Sequence, residues 1–327
     1  MRRTLLPVCL SLLLAPPVTH SDTDRLPGFE DFRRIDRMRR LTGQLHTAEL
    51  LAVTQIDAQR LMTTARRVPD DWQALWGAAE LLVEWPNKQI FFEAALAASR
   101  TNQSVAMRYA LFAAANRDIE TARQWLTFVR QRESDNIVPW LIELWLLTRA
   151  TPGQSPPDDQ LAKLQPALWT TIFRDQAQAA ARARVRLLEL TGYSPYAARR
   201  LGFMPETPAV QFARDLSLNV PKHPAARNVL EKTARALQSG APYLLYEFVG
   251  QTLEVALATD ATTAAETRFR AAELDNRRDE LKQLLATVEQ TVLDIATEAE
   301  MVRYFDHVLT FGEENALRRI LSELRSR

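Results

Sequence analysis

Glycine, cysteine and histidine are all scarce in this sequence. Nine glycines in 327 residues is about 3%, against a usual ~7%. Phosphate-cradling loops, tight hairpins and dinucleotide folds use glycine for its positive φ, so these architectures are disfavoured. Cys9 is the single cysteine, which excludes an intramolecular disulfide framework and a multi-cysteine zinc site. His20 lies near the start, and His46, His223 and His307 stand alone. None has a second histidine at the three- or four-residue spacing of a helical metal site. There is no G-x-S-x-G elbow, no S-x-x-K and no phosphate loop. The sequence therefore predicts no catalytic, cofactor-binding or metal-ligating set. A carboxylate pair assembled only by folding is the route left open to an enzyme, such as a hydrolase of the cell envelope.

An excess of one charge is missing too. Lysine plus arginine number 41 and aspartate plus glutamate 40, which argues against nucleic-acid binding through bulk basicity. Alanine and leucine are abundant, at 46 each. Both are strong helix formers, and no segment alternates in the β manner. The fold class expected is all-α.

The first 21 residues have the three parts of a secretory signal: Met1-Arg2-Arg3, an apolar run from Leu5 to Leu14, and a break at Ala15-Pro16-Pro17. The run is too short to span a bilayer. Cleavage after Ser21 is expected, giving a periplasmic or secreted bacterial protein. Lipidation of Cys9 is not expected, because Leu6-Pro7-Val8 lacks the small residues that precede a lipidated cysteine. Cleavage would remove the only thiol and change the balance to 39 basic against 40 acidic residues. Trp140 to Leu147 is interrupted by Glu143, and Tyr243 to Ala258 carries Glu247, Gln251 and Glu254 on one stripe. Both segments read as helices of a folded body, the second with a narrow wet edge.

The expected body has two helical halves, 22–150 and 160–327. They are separated by the linker Thr151 to Asp159, TPGQSPPDD, whose prolines disfavour helix before them. In the first half, helices are expected from His46 to Arg67, from Asp70-Asp71 to Trp85, and from Asn87. Further helices should start at Ser104, Ile119 and Ile137. In the second half they are expected over Gln160–Leu190, Pro221–Gln238, Pro242–Ala258, Thr263–Ala299 and Glu313–Arg325, as an irregular helical bundle.

The short connections of the first half are those of helix hairpins. Trp72, Ala106 and Trp140 recur at intervals of 34 residues. With Leu75, Ala79 and Ala95, and then Tyr109, Ala110, Ala113, Ala122 and Leu126, this stretch resembles the tetratricopeptide family, whose unit is a helix hairpin of about 34 residues. Arg100 and Ser134 stand where that family has proline, and Gly77 falls one residue late. The resemblance covers residues 70–150 and implies a short α-solenoid with a concave groove for a peptide.

Three residue sets are candidate binding surfaces. Trp72, Trp76 and Trp85 head an aromatic set that continues through Phe91, Phe92, Trp125, Trp140 and Trp145, with Trp85 expected to be exposed beside Pro86. Arg33, Arg34 and Arg37 lie in a helix with an apolar face, suited to an acidic partner or to contact with an anionic membrane surface. Tyr193, Tyr196, Arg199, Arg200 and Phe203 could form an exposed aromatic-basic patch. Ser194-Pro195 reads as a helix start and Gly202 as its stop, but Pro205 and Pro208 exclude a DNA-reading helix. The expected function is a non-catalytic scaffold or assembly factor that binds a protein or peptide partner in the cell envelope.

Overall fold

The computed structural model describes residues 26–42, 54–150, 156–204, 207–218, 222–239, 242–258 and 264–326. The expected signal, residues 1–21, and most of the linker, residues 151–155, lie outside them, as does His46. Helices account for most of the described chain, and no strand is found among its residues. The all-α expectation holds.

The helices are α1 Phe29–Thr42, α2 Ala58–Arg67, α3 Trp72–Leu81, α4 Trp85–Ala98, α5 Gln103–Ala115, α6 Ile119–Arg130, α7 Val138–Ala150 and α8 Asp158–Ala162. A 3₁₀ turn, Gln165–Trp169, precedes α9 Ala177–Leu190 and α10 Pro195–Gly202. Then come α11 Pro208–Leu218, α12 Pro224–Gln238, α13 Leu244–Leu257, α14 Ala264–Ile295, α15 Glu298–Phe311 and α16 Glu313–Arg325. No described helix is long and apolar enough to cross a membrane.

Local chemistry sets these limits. Asp57, Asp71 and Asp118 accept backbone N–H bonds as N-caps of α2, α3 and α6. Asn102, rather than Ser104, caps α5. Pro86 sits in the first turn of α4, where its missing N–H costs nothing. Trp85 therefore opens α4 instead of closing α3 as expected. Ser194 caps α10 with Pro195 behind it, as the sequence indicated. Two further expectations are corrected. Gln55 to Asp57 is not helical, so the helix expected over His46–Arg67 is interrupted there, and α2 starts at Ala58. The long helix expected over Gln160–Leu190 is broken. Ile137 N–H donates to the Ile172 carbonyl (2.9 Å) and Ile172 N–H to Asp135 (3.1 Å), holding the chain extended before α9.

Scarce glycine has a structural consequence. Arg100 and Arg117 follow α4 and α5 with φ of 52° and 63°. At the second of these, Asp118 N–H bonds the Ala113 carbonyl and Arg117 N–H the Ala114 carbonyl. This is the helix-stop pattern that usually takes glycine, built here on arginine.

Consecutive helices α3 to α7 pack on one another, and α9, α11 and α12 cover α3, α5 and α7. Tyr109 of α5 faces α4 and α6, while Arg108 of the same helix faces α9. The helices that begin each expected hairpin are thus covered by the second half of the chain. Buried apolar residues run as one cluster from Phe32 to Leu324 across the expected division. The closest seam joins α3 to α9. A Cβ at Gly77 would stand 2.3 Å from the Ala183 carbonyl oxygen, so only glycine permits this approach.

Candidate functional site

Glu80 occupies the middle of the α3–α9 seam. The surrounding helix is apolar and its side chain is 1% exposed. Arg108 grips it in a two-pronged pair, Nε to Oε1 at 2.8 Å and Nη2 to Oε2 at 2.7 Å. Arg184 of α9 adds Nη1 to Oε2 at 3.1 Å, and Trp76 donates its indole N–H to Oε1 at 3.1 Å. Burial alone would push the Glu80 carboxyl up, but Arg108, then Arg184 and Lys88, hold it at about 2. Lys88 closes the end of α3, donating to the Ala79 and Glu80 carbonyls at 3.0 Å and lying over the Phe112 ring at 4.2 Å. Burial lowers its ammonium to about 7, with Glu80 resisting. Asp175 lies beyond Arg108, accepting from Thr207 at 2.6 Å and from Tyr246 at 2.5 Å. Arg184 Nη2 and the Tyr243 hydroxyl are buried without a partner. This cluster is enclosed and fixes the seam between the two halves.

A second arginine–carboxylate network is open to water. Arg277 of α14 donates Nε to Glu247 of α13 at 3.0 Å and Nη2 to Glu314 of α16 at 2.6 Å. Arg318 joins Glu314 and Glu280, each at 2.7 Å. Together they flank a cleft of about 530 Å³ where the ends of α12 and α15 meet the starts of α13 and α16, a size within the usual range for ligand clefts. Glu313 also lines it and has no ion pair among the described residues. Its Oε2 accepts the Leu244 N–H at 2.9 Å. Burial pushes its carboxyl up, and that single N–H bond resists. Glu314 is instead held below the usual carboxylate range, because Arg277 and Arg318 outweigh its burial. Among the described residues, no group of three or more His, Cys, Asp and Glu could hold a metal ion.

The third feature is a row of rings across the outer side of α4, α5 and α6. Trp85, Tyr109, Trp125 and Phe128 follow at centroid separations of 5.9, 5.9 and 5.7 Å. Tyr109 is buried and donates its hydroxyl to Glu93 at 3.1 Å, whereas the other three rings are half-buried. Arg132 stacks on Phe128 at 3.6 Å. Ile90, on the same face of α4 as Glu93, is 55% exposed.

The structure separates the residues singled out in the sequence. Trp76 is buried on Glu80, and Trp72 stacks on it, half-buried. Trp85 is half-buried in the ring row instead of fully exposed. The expected aromatic-basic patch does not form. Tyr193 and Tyr196 are buried, and Tyr196 packs on Phe29, Phe32 and Phe305. Phe203 packs on Tyr243 and Phe305. Arg199 is paired with Asp306 and Glu189, and Arg200 with Asp36. The apolar face of α1 is covered as well, since Phe32 and Ile35 are buried. It is therefore not free to lie in a membrane surface, which corrects that expectation. Arg34 and Arg37 face solvent, and Arg33 lies over Phe29 at 5.6 Å. The stripe of Glu247, Gln251 and Glu254 is wet only in part. Gln251 is buried and the two carboxylates engage Arg277 and Gln238.

Glu80, Arg108, Arg184 and Glu313 were missed. The first three had a signal, because each is a charge inside an apolar or alanine-rich helix. Glu313 had none, since acidic residues are ordinary in a first helical turn. Trp169 was also missed and is 83% exposed on the 3₁₀ turn. No protein-family model matches the chain, and comparison with curated proteins and with solved structures gave no match.

Proposed function

We propose that this chain is an exported, non-catalytic scaffold or assembly factor of the bacterial cell envelope that binds a protein partner along the outer side of α4 to α6. The row Trp85–Tyr109–Trp125–Phe128 carries this reading. Half-buried aromatic rings fixed by a buried neighbour, with an arginine stacked at one end, are what binding hot spots use. The inner helices α3, α5 and α7 support it by elimination, because α9, α11 and α12 already cover them. The surface favours an acidic partner segment. Arg132 presents its guanidinium over Phe128, and Arg123, exposed on α6, shares Glu143 with Arg130. The signal-like start, Met1-Arg2-Arg3 followed by the apolar run Leu5 to Leu14, supports the envelope as the place of action.

The test begins with the mature chain used to capture envelope proteins, followed by titration of the captured partner. A Trp85→Ala/Trp125→Ala variant should weaken binding by at least about 2 kcal/mol. Trp169→Ala, at an exposed ring elsewhere, should leave it unchanged. Equal binding by wild type and double variant would sink the assignment to this face.

A further inference from the structure

We infer that the cleft at the α12–α13 and α15–α16 corners is a binding site for the cationic side chain, lysine or arginine, of a peptide. This site is separate from the ring row and stands or falls independently of it.

The charge count is the starting point. Glu247, Glu313 and Glu314 line the cleft against Arg277, a formal balance of −2. Arg277 is already occupied by Glu247, Glu314 and Glu280, so an anion finds no available guanidinium. The first N–H of each of the two helices is engaged as well: Glu313 N–H donates to the Pro242 carbonyl at 2.8 Å, and Leu244 N–H donates to Glu313. An anion therefore has no charged partner here.

A cation has one. Glu313 is the lining carboxylate without an ion pair, and the single Leu244 N–H engages one of its oxygens. Tyr243 forms part of the wall. It is 1% exposed, so it closes that side of the cleft while its hydroxyl stays buried. Phe311 stands at the rim, 59% exposed, and offers an aromatic face of the kind that favours ammonium and guanidinium groups. The backbone is rigid at this point. Gly312 joins α15 to α16 with φ of 90°, and a Cβ there would lie 3.2 Å from the Pro242 carbonyl. Gln178 and Arg182 also bind the last carbonyls of α15, at 3.1 and 2.7 Å. A carboxylate held on a fixed corner, half-buried and unpaired, gains its missing counter-charge from a ligand.

The experiment is a calorimetric and NMR titration of the full mature chain with N-acetyl-arginine methylamide and N-acetyl-lysine methylamide. N-acetyl-norleucine methylamide serves as the neutral shape control and putrescine as the non-peptide amine. The two cationic amino-acid probes should bind saturably and shift resonances of Gly312 and Glu313. Norleucine should not. Glu313→Gln keeps the acceptor for Leu244 but removes the charge, and should weaken binding about tenfold or more. Glu273→Gln, at an exposed site on α14 outside the cleft, should have no effect. Absence of saturable binding at tens of millimolar probe would overturn the proposal. So would equal affinity for wild type and a folded Glu313→Gln, or binding of putrescine alone.

Discussion

The Glu80 cluster and the Arg277 ring use the same chemistry in opposite surroundings. In the first, one carboxylate takes two arginines with every partner about 2% exposed or less. In the second, Arg277 and Arg318 share Glu247, Glu280 and Glu314, and the side chains are 18% to 53% exposed. Distances are alike, near 2.6 to 3.1 Å in both. What differs is water. In the dry cluster, removing one partner leaves the others with no solvent to turn to. At the wet ring, water and salt replace a lost partner. The dry network therefore locks two halves of the chain together, while the wet one shapes the edge of a cleft.

The sharpest way to break this contrast is Glu80→Gln. It leaves Arg108 and Arg184 buried without their carboxylate and should cost about 3–5 kcal/mol, read from the urea midpoint at unchanged slope. Replacing Glu80, Arg108 and Arg184 together by apolar residues of similar volume should recover much of that loss. A cost below about 1 kcal/mol for the single change would mean that water reaches the seam.

Acid titration separates Glu80 by sign from Glu313, the cleft carboxylate outside the ring. The folded Glu80 carboxyl is depressed to about 2 from an ordinary 4.5. Its contribution is complete above the unfolded value and is lost as pH falls from about 4.5 towards about 2. Glu313 is raised in the fold, so its contribution is full in acid and is lost as pH rises through the raised value. Stability measured against pH for wild type and Glu313→Gln should differ in that upper window alone. The part of the loss between 4.5 and 2 that disappears in Glu80→Gln is the Glu80 component.

The smallest effect is expected at the wet ring. Arg318→Ala should cost no more than about 1 kcal/mol, and the cost should shrink further in high salt. A loss of the size expected for Glu80→Gln, insensitive to salt, would erase the distinction between the two networks.

Helix positions were largely legible because capping is local chemistry. Asp71, Ser194 and the break at Phe311-Gly312 were read from neighbouring residues and stand in the structure. Trp85 was misplaced because Pro86 reads as a stop or as a first turn, and only the packing of α4 on α3 and α5 selects the latter. The Gln160–Leu190 stretch failed for a similar reason. Its chain is held by hydrogen bonds to the Asp135 carbonyl and from the Ile137 N–H, which no local pattern announces. Tyr193 and Tyr196 have a composition suited to an exposed patch, yet both are buried, and the Tyr196 ring fills the space between α1, α10 and α15.

The sequence by itself determined the all-α class, most helix limits and the scarcity of flexible turns, because propensity, caps and apolar period act over a few residues. Tertiary structure alone decided which charges became dry and which remained wet. Glu80 and Glu314 are both glutamates near arginines. Gly77 lets α9 approach closely enough to exclude water from the first, and the ends of four helices leave the second beside an open cleft. Solvent access is a property of the packed whole, and it sets what each charge contributes.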